Sequence, residues 1–275
     1  MASDLRKTVI EAGKTERHYW RDLWTYRELF AFLAWRDILV RYKQTVIGVT
    51  WSVLRPVLTM IVFTVVFGRI AKLPSEGVPY PILVFAAMLP WHFFASAVSE
   101  GSNSLVENAN IISKVYFPRL IVPASAVVVS FVDFMISLAL LAILLVWYQF
   151  LPSPRVLLLP VFMVLAVLVS MGLTFLLAAM NVRYRDFRYV VPFLIQFGLF
   201  ISPVGYSLSL IPEHWRWLYF LNPMVGIIEG FRWSLLPDYS LDPHALLCSM
   251  LVSVAVLAAG IVYFRKTERF FADVI

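Results

Sequence analysis

The chain has 275 residues, 61% hydrophobic and only 15% charged, with a net charge of +6. A soluble domain is about half apolar and about a quarter charged, so this composition excludes an ordinary water-soluble globule and indicates a membrane protein. The single cysteine, Cys248, excludes an internal disulfide and a cysteine-based metal site, and reads as a small apolar residue of the last span.

Residues 1–45 form the first unit. The opening "MASDLRKTVIEAGKTERHYWRD" is charged throughout and lacks the apolar core of about 7–15 residues that a cleavable signal requires. "TVIEAGKT" (8–15) ends like a phosphate-binding loop, but Thr8 stands where the first glycine belongs and no strand precedes it. No nucleotide site is expected there. Residues 23–44 mix Trp24, Tyr26, Phe30 and Trp35 with Arg27, Arg36, Arg41 and Lys43, which predicts an interfacial helix lying on the membrane surface.

Residues 46–264 form a single membrane domain. A helix needs about 20 apolar residues to cross the bilayer core, and six segments reach that length: Val46–Gly68, Val78–Ser99, Leu120–Leu151, Val156–Val182, Tyr189–Pro212 and Ala245–Phe264. They do not alternate polar with apolar, as in "LALLAILLVW", so spanning helices are expected rather than a barrel. "IISKVYFPR" (111–119), between the second and third spans, reads as a short helix that Pro118 stops. Its residues Ile111, Ile112, Val115 and Phe117 offer an apolar face that would be exposed unless a partner covered it, with Lys114 and Arg119 at the rim. Trp217–Ile228 is too short to span, and Pro223 and Gly226 predict a pair of short helices dipping into the outer leaflet. Residues 265–275 form a short tail.

Six spans put both termini on one side. That side holds 17 of the Lys and Arg residues and the opposite side five, with Arg55 inside the first span. The bias predicts cytoplasmic termini, and it accounts for the net charge without any nucleic-acid partner. His18, His92, His214 and His244 are too scattered to bind a metal, and no catalytic constellation follows from spacing. Asp133 is the one carboxylate in the third span; it is either functional or satisfied by polar groups of a neighbouring helix. One isolated acid is too little for a proton-driven carrier. The chain reads as a transport path without its own energy source, which implies an ATPase partner.

Four stretches carry a resemblance: "RYKQTVIGVTWSVLRP" (41–56), "NANIISKVYFPRL" (108–120), "NVRYRDFRYVVPFLIQFGLFISPVGY" (181–206) and "LNPMVGIIEGFRW" (221–233), with "YFRKTERFFADVI" closing the chain. In this order the chain resembles the transmembrane subunits of ABC-2-type exporters, in the branch that exports O-antigen, capsule or teichoic-acid polysaccharide. The resemblance implies an all-α integral membrane protein of the bacterial inner membrane, working as a homodimer with two copies of a separate ATPase subunit. This chain then binds no cofactor; ATP and Mg act through the partner, and the chain is a transport subunit rather than an enzyme. It also implies that "IISKVYFPR" (Ile111, Ile112, Lys114, Val115, Phe117, Pro118, Arg119) is the coupling helix that meets the ATPase.

A lipid-linked polysaccharide would enter from the inner leaflet and pass outward between protomers. A sliding polymer needs many weak, similar contacts, which aromatic faces provide. Trp51, Thr59, Phe63 and Phe67 of the first span, with Phe193, Gln196, Phe197, Phe200 and Tyr206 of the fifth, are the expected lining. Arg55, Arg183, Arg185 and Arg188 are the expected contacts for the lipid-linked phosphate at the entrance. Other classes compatible with the sequence are an ABC-2 exporter of a drug or small lipid, and an integral-membrane glycan-modifying enzyme.

Overall fold

The computed structural model describes residues 19–43 and 46–271. "GKT" and the rest of residues 1–18, together with 272–275 of the tail, lie outside the described residues. All regular structure among the described residues is helical.

Two helices, α1 (Tyr19–Thr25) and α2 (Arg27–Lys43), precede the first span. α2 packs on spans with Leu33 and Ala34 buried, while Phe32, Trp35 and Val40 stay exposed, the division expected of a helix lying along an interface. α3 (Val46–Phe63) continues into a π-helical segment, Thr64–Ile70, a rare geometry that recurs at functional sites. α4 (Tyr80–Glu107) lies at the centre and packs against α3, α6 (Ile121–Trp147), α7 (Leu159–Arg183), α8 (Phe187–Ile201) and α10 (Pro223–Leu235). α11 (Pro243–Glu268) closes the domain against α7 and α10.

Small residues permit the closest crossing. A Cβ on Gly260 would lie 2.1 Å from the carbonyl oxygen of Gly172, and one on Gly172 would lie 2.6 Å from the backbone of Leu257. α7 and α11 therefore meet backbone to backbone, the packing that lipid-embedded helices use in place of a hydrophobic drive. Polar side chains join α7 to α4: Thr174 Oγ1 donates to the Ala97 carbonyl (3.1 Å), and Asn181 Nδ2 donates to the Ser102 carbonyl (2.9 Å) and to Asn103 Oδ1 (3.0 Å).

Five helices among the described residues are long and apolar enough to cross a membrane: Thr50–Ile70, Tyr80–Glu107, Ile121–Trp147, Pro154–Arg183 and Pro243–Glu268. The expected fifth span, Tyr189–Pro212, is not one helix. α8 has 15 residues, about 22 Å at 1.5 Å per residue, short of the roughly 30 Å core. It stops because Ser202 precedes Pro203 and is extended (φ −80°, ψ 146°), the conformation a following proline favours. The chain then turns through residues 203–207 into a 3-10 turn, Leu208–Leu210.

The short run after it does form two helices, α9 (Glu213–Phe220) and α10. Pro223 begins α10, with Asn222 capping it through Met224 N–H (3.0 Å). Gly226, expected to break the helix, sits inside it. A Cβ there would lie 2.4 Å from the Ala245 carbonyl oxygen, so this glycine admits α11 rather than ending α10.

Candidate functional site

Three regions carry the unusual chemistry. At one end of the bundle, the ends of α4, α7 and α11 and the start of α6 share an apolar cluster with α1 and α2. Tyr19, Leu33, Leu105, Ile112, Phe117, Leu120, Val182, Phe264 and Phe271 are all buried in it. The arginine- and lysine-rich segments of the sequence thus gather at one end, referred to below as the basic end.

"IISKVYFPR" lies at that end, and its geometry corrects the expected helix in two respects. The helix here, α5 (Ala109–Ile112), has only four residues and ends before Lys114. Pro118 leads into α6, its carbonyl accepting from Ile121 N–H (3.2 Å), instead of stopping α5. The expected apolar face is also split. Ile112 and Phe117 point into the chain's own cluster, Pro118 is buried, and Ile111 is half-buried. Arg119 N–H donates to Glu268 Oε1 (2.7 Å), and the Arg119 guanidinium donates to the Glu268 carbonyl. These inward groups fix the two ends of a turn whose crest, Ser113 to Tyr116, is exposed. Lys114, Val115 and Tyr116 stand on that crest, Val115 54% exposed. An alternation of apolar residues over so short a segment does not tell which of them the chain keeps for its own core.

The second region joins α2 to the spans. Arg41 makes a two-pronged contact with the Glu100 carboxylate (both 2.8 Å) and an ion pair with Asp133 (3.0 Å). Tyr42 also donates to Asp133, and burial together with that hydrogen bond pushes its phenol above the usual range, so it stays a donor. Asp133 is therefore satisfied by α2, outside its own span. Beside this network is a cavity of about 230 Å³, lined among others by Ser52, Arg55, His92, Ser96, Ser130 and Asp133. Arg55 borders that cavity. Arg183, Arg185 and Arg188 do not: they are exposed on the α7–α8 turn, and Arg183 faces a separate cleft with Tyr263 and Lys266. The four arginines expected at one entrance are thus not gathered into one cavity.

Arg41 holds two carboxylates, so Arg41→Gln is expected to lower stability more than Asp133→Asn. The expected loss is about 1–2 kcal/mol after allowing for the arginine's partial exposure. Thermal unfolding in detergent of the two single variants and the double variant measures it. The double variant should lose less than the sum, because the Asp133 charge no longer lacks its cation.

The third region comprises α3, α8 and the loop after α8. Only 6% of the apolar window of α3 is buried, against 72% for α4. Trp51 and Arg55 are exposed on it, and Thr59, Phe63 and Phe67 are half-buried. On α8, Phe193, Gln196, Phe197 and Phe200 are exposed, and the rings of Phe193 and Phe197 stack at 6.0 Å and 6°. The half-buried Tyr206 follows, its hydroxyl 2.9 Å from that of Tyr219. The two sets meet at the end away from the basic end: a Cβ on Gly205 would lie 2.9 Å from the Phe67 ring and 3.0 Å from the Phe63 ring.

A clamp holds that meeting point. Arg232 of α10 is wholly buried and donates to the carbonyls of Tyr206 (2.8 Å) and Val204 (3.0 Å), with a longer contact to the Leu83 carbonyl (3.4 Å). It pairs with the buried Glu229 (3.3 Å), which accepts from the Tyr239 hydroxyl (2.9 Å). Tyr80 donates to the Gly205 carbonyl (2.5 Å), and Ser207 donates to Glu76. The carbonyls of the turn after α8 are thus taken up by a guanidinium, while those of Phe200 and Ile201 at the end of α8 accept from the Tyr206 hydroxyl (3.2 and 3.0 Å). By sequence alone Arg232 is one of the five Lys and Arg residues on the side opposite the termini, and charge counting does not show its role. The signal for it is a Glu and an Arg three apart in an otherwise apolar run, "GIIEGFRW", where each charge demands a partner.

The chain matches the ABC-2 type transporter family over residues 28–236. It is 32% identical over 256 residues to the O-antigen export system permease protein RfbA of Myxococcus xanthus, which covers 92% of this chain and 97% of that protein. It is 25% identical over 249 residues to a Klebsiella pneumoniae protein of the same name, with 90% and 95% covered. To the polysialic acid transport protein KpsM of Escherichia coli it is 22% identical over 240 residues, with 85% and 91% covered.

Proposed function

Because the chain belongs to the ABC-2 type transporter family, we propose that it is the membrane-spanning subunit of an ATP-driven exporter that moves lipid-linked polysaccharide outward across a bacterial cytoplasmic membrane. Two copies form the path, and two copies of a separate ATPase supply the energy. The basic end, with α1, α2 and the crest at Lys114–Tyr116, faces the cytoplasm, in line with the distribution of lysine and arginine. α8 and the turn after it make the sixth crossing, with the short helices α9 and α10 at the outer surface. The chain itself binds no nucleotide.

One observation carries this reading: the chain's own core leaves most of α3 uncovered, with Trp51 exposed, and leaves Phe193, Phe197 and Phe200 of α8 exposed, while Phe63 and Phe67 meet the turn after α8 at Gly205. A second protomer placed against them encloses a passage walled by rings, which stack on the C–H faces of sugars without selecting one sugar sequence. The names of the relatives, which export O-antigen or transport polysialic acid, support a polysaccharide cargo.

Cysteine crosslinking in native membranes tests the arrangement. In a Cys248→Ser background, cysteines at Thr59 and at Gln196 are expected to crosslink between protomers. Crosslinks confined to α7, for example through Val164, would reject the passage along α3 and α8.

A further inference from the structure

The outer face of α11 is bare, with Leu247, Met250, Leu251, Val254 and Val262 exposed, whereas its other side packs on α7 and α10. At the basic end this apolar face runs into a concentration of cations. Two adjoining clefts open there. One, of about 450 Å³, is lined by Arg183, Tyr263, Lys266 and Phe270 among others; the second, of about 570 Å³, is lined by Trp20, Ile261, Val262, Arg265, Lys266 and Arg269. Lys266 is common to both.

Arg183, Arg265, Lys266 and Arg269 make no ion pair among the described residues. Arg265 lies over the Tyr19 ring (4.6 Å), Arg269 over Phe270 (4.6 Å) and Arg183 over Tyr184 (5.2 Å). Stacking of this kind holds a guanidinium in place and leaves its edge free to donate. Glu268, the carboxylate of this turn, is engaged by Arg119.

We propose that these clefts bind an anionic phospholipid of the cytoplasmic leaflet. Its phosphate diester would be held by Lys266 with Arg269 and Arg183, and its chains would run along Ile261 and Val262. Several cations without an ion pair among the described residues call for an anion. The apolar wall, continuous with the lipid-facing side of α11, calls for one that carries acyl chains, so the occupant is a lipid rather than soluble phosphate. A basic pocket between helices at the cytoplasmic membrane surface is the setting in which acidic headgroups are held. A zwitterionic lipid brings its own cation into the cluster and is disfavoured. The site is set apart from the uncovered faces of α3 and α8, and it rests on the orientation proposed above, with the basic end at the cytoplasmic surface, not on the identity of the cargo.

The test uses the full chain in nanodiscs of phosphatidylglycerol and phosphatidylcholine, followed by native mass spectrometry of the lipid retained on release. Phosphatidylglycerol is expected to stay bound at about one per protomer, and Lys266→Gln/Arg269→Gln to cut that retention about tenfold or more. Arg69→Gln/Lys72→Gln, which removes the same charge elsewhere, should retain it. If the double variant does not fold, as judged by its melting curve, Lys266→Gln alone is the comparison. Equal retention of the two lipids, equal loss in both double variants, or full retention without Lys266 and Arg269 overturns the proposal. So does displacement of the lipid by inorganic phosphate, which would make the site one for the free anion.

Discussion

Replacing Arg232 with Met is expected to lower stability by about 3–5 kcal/mol and to abolish export with it. The guanidinium is fully buried, and its removal leaves the Glu229 charge without its cation and the Val204 and Tyr206 carbonyls without their donor. Each loss incurs the desolvation cost of a buried or partly buried polar group. Arg232→Lys is the informative companion. It keeps the positive charge for Glu229 but not the fork that reaches separate carbonyls, so it should recover part of the stability. Export by the Lys variant should remain low, because Tyr206 and the join between α3 and α8 lose their fixed position. Thermal unfolding in detergent measures the first effect, and export measured per folded protein measures the second. Wild-type stability in Arg232→Met would show that the clamp contributes nothing.

The second large effect is expected at the crest of the 111–119 segment. Tyr116→Ala should weaken binding of the ATPase by about 2 kcal/mol, the size of an aromatic hot spot and roughly 30-fold in affinity. Val115→Asp, which puts a charge on an apolar contact, should do at least as much. Neither side chain is part of the buried cluster, so melting temperature should scarcely change. Phe117→Ala should behave differently. Phe117 is 3% exposed, and emptying its place costs about 3–5 kcal/mol of fold stability. Co-purification with the ATPase, normalised to folded protein, separates the two. If Tyr116→Ala and Val115→Asp co-purify as the wild type does, the crest is not the docking element.

Much of this architecture was legible in the sequence because lipid-embedded helices announce themselves by length and hydrophobicity. Val78–Ser99 begins two residues before α4 and ends within it, Leu120–Leu151 brackets α6, and Val156–Val182 nearly matches the span ending at Arg183. Hydrophobicity says how far an apolar stretch extends but not where its hydrogen bonds are interrupted. Tyr189–Pro212 looked continuous, yet Pro203 bends the chain and a distant arginine accommodates the bend. Pairing across helices was equally hidden. Asp133 had no partner in its own span, and its partner Arg41 lies 92 positions earlier, on a helix that precedes the first span. In the 111–119 segment the apolar residues were visible, but only the fold divides them, Phe117 inward and Val115 outward.

The most direct measurement of the central claim is translocation in proteoliposomes that contain this chain, its ATPase subunit and a fluorescent lipid-linked polysaccharide. The account predicts ATP-dependent passage of the polymer to the opposite face when both proteins are present, none with either alone, and none when Thr59 and Gln196 cysteines are crosslinked between protomers. Transport by the chain alone, or undiminished transport through the crosslinked dimer, would contradict it.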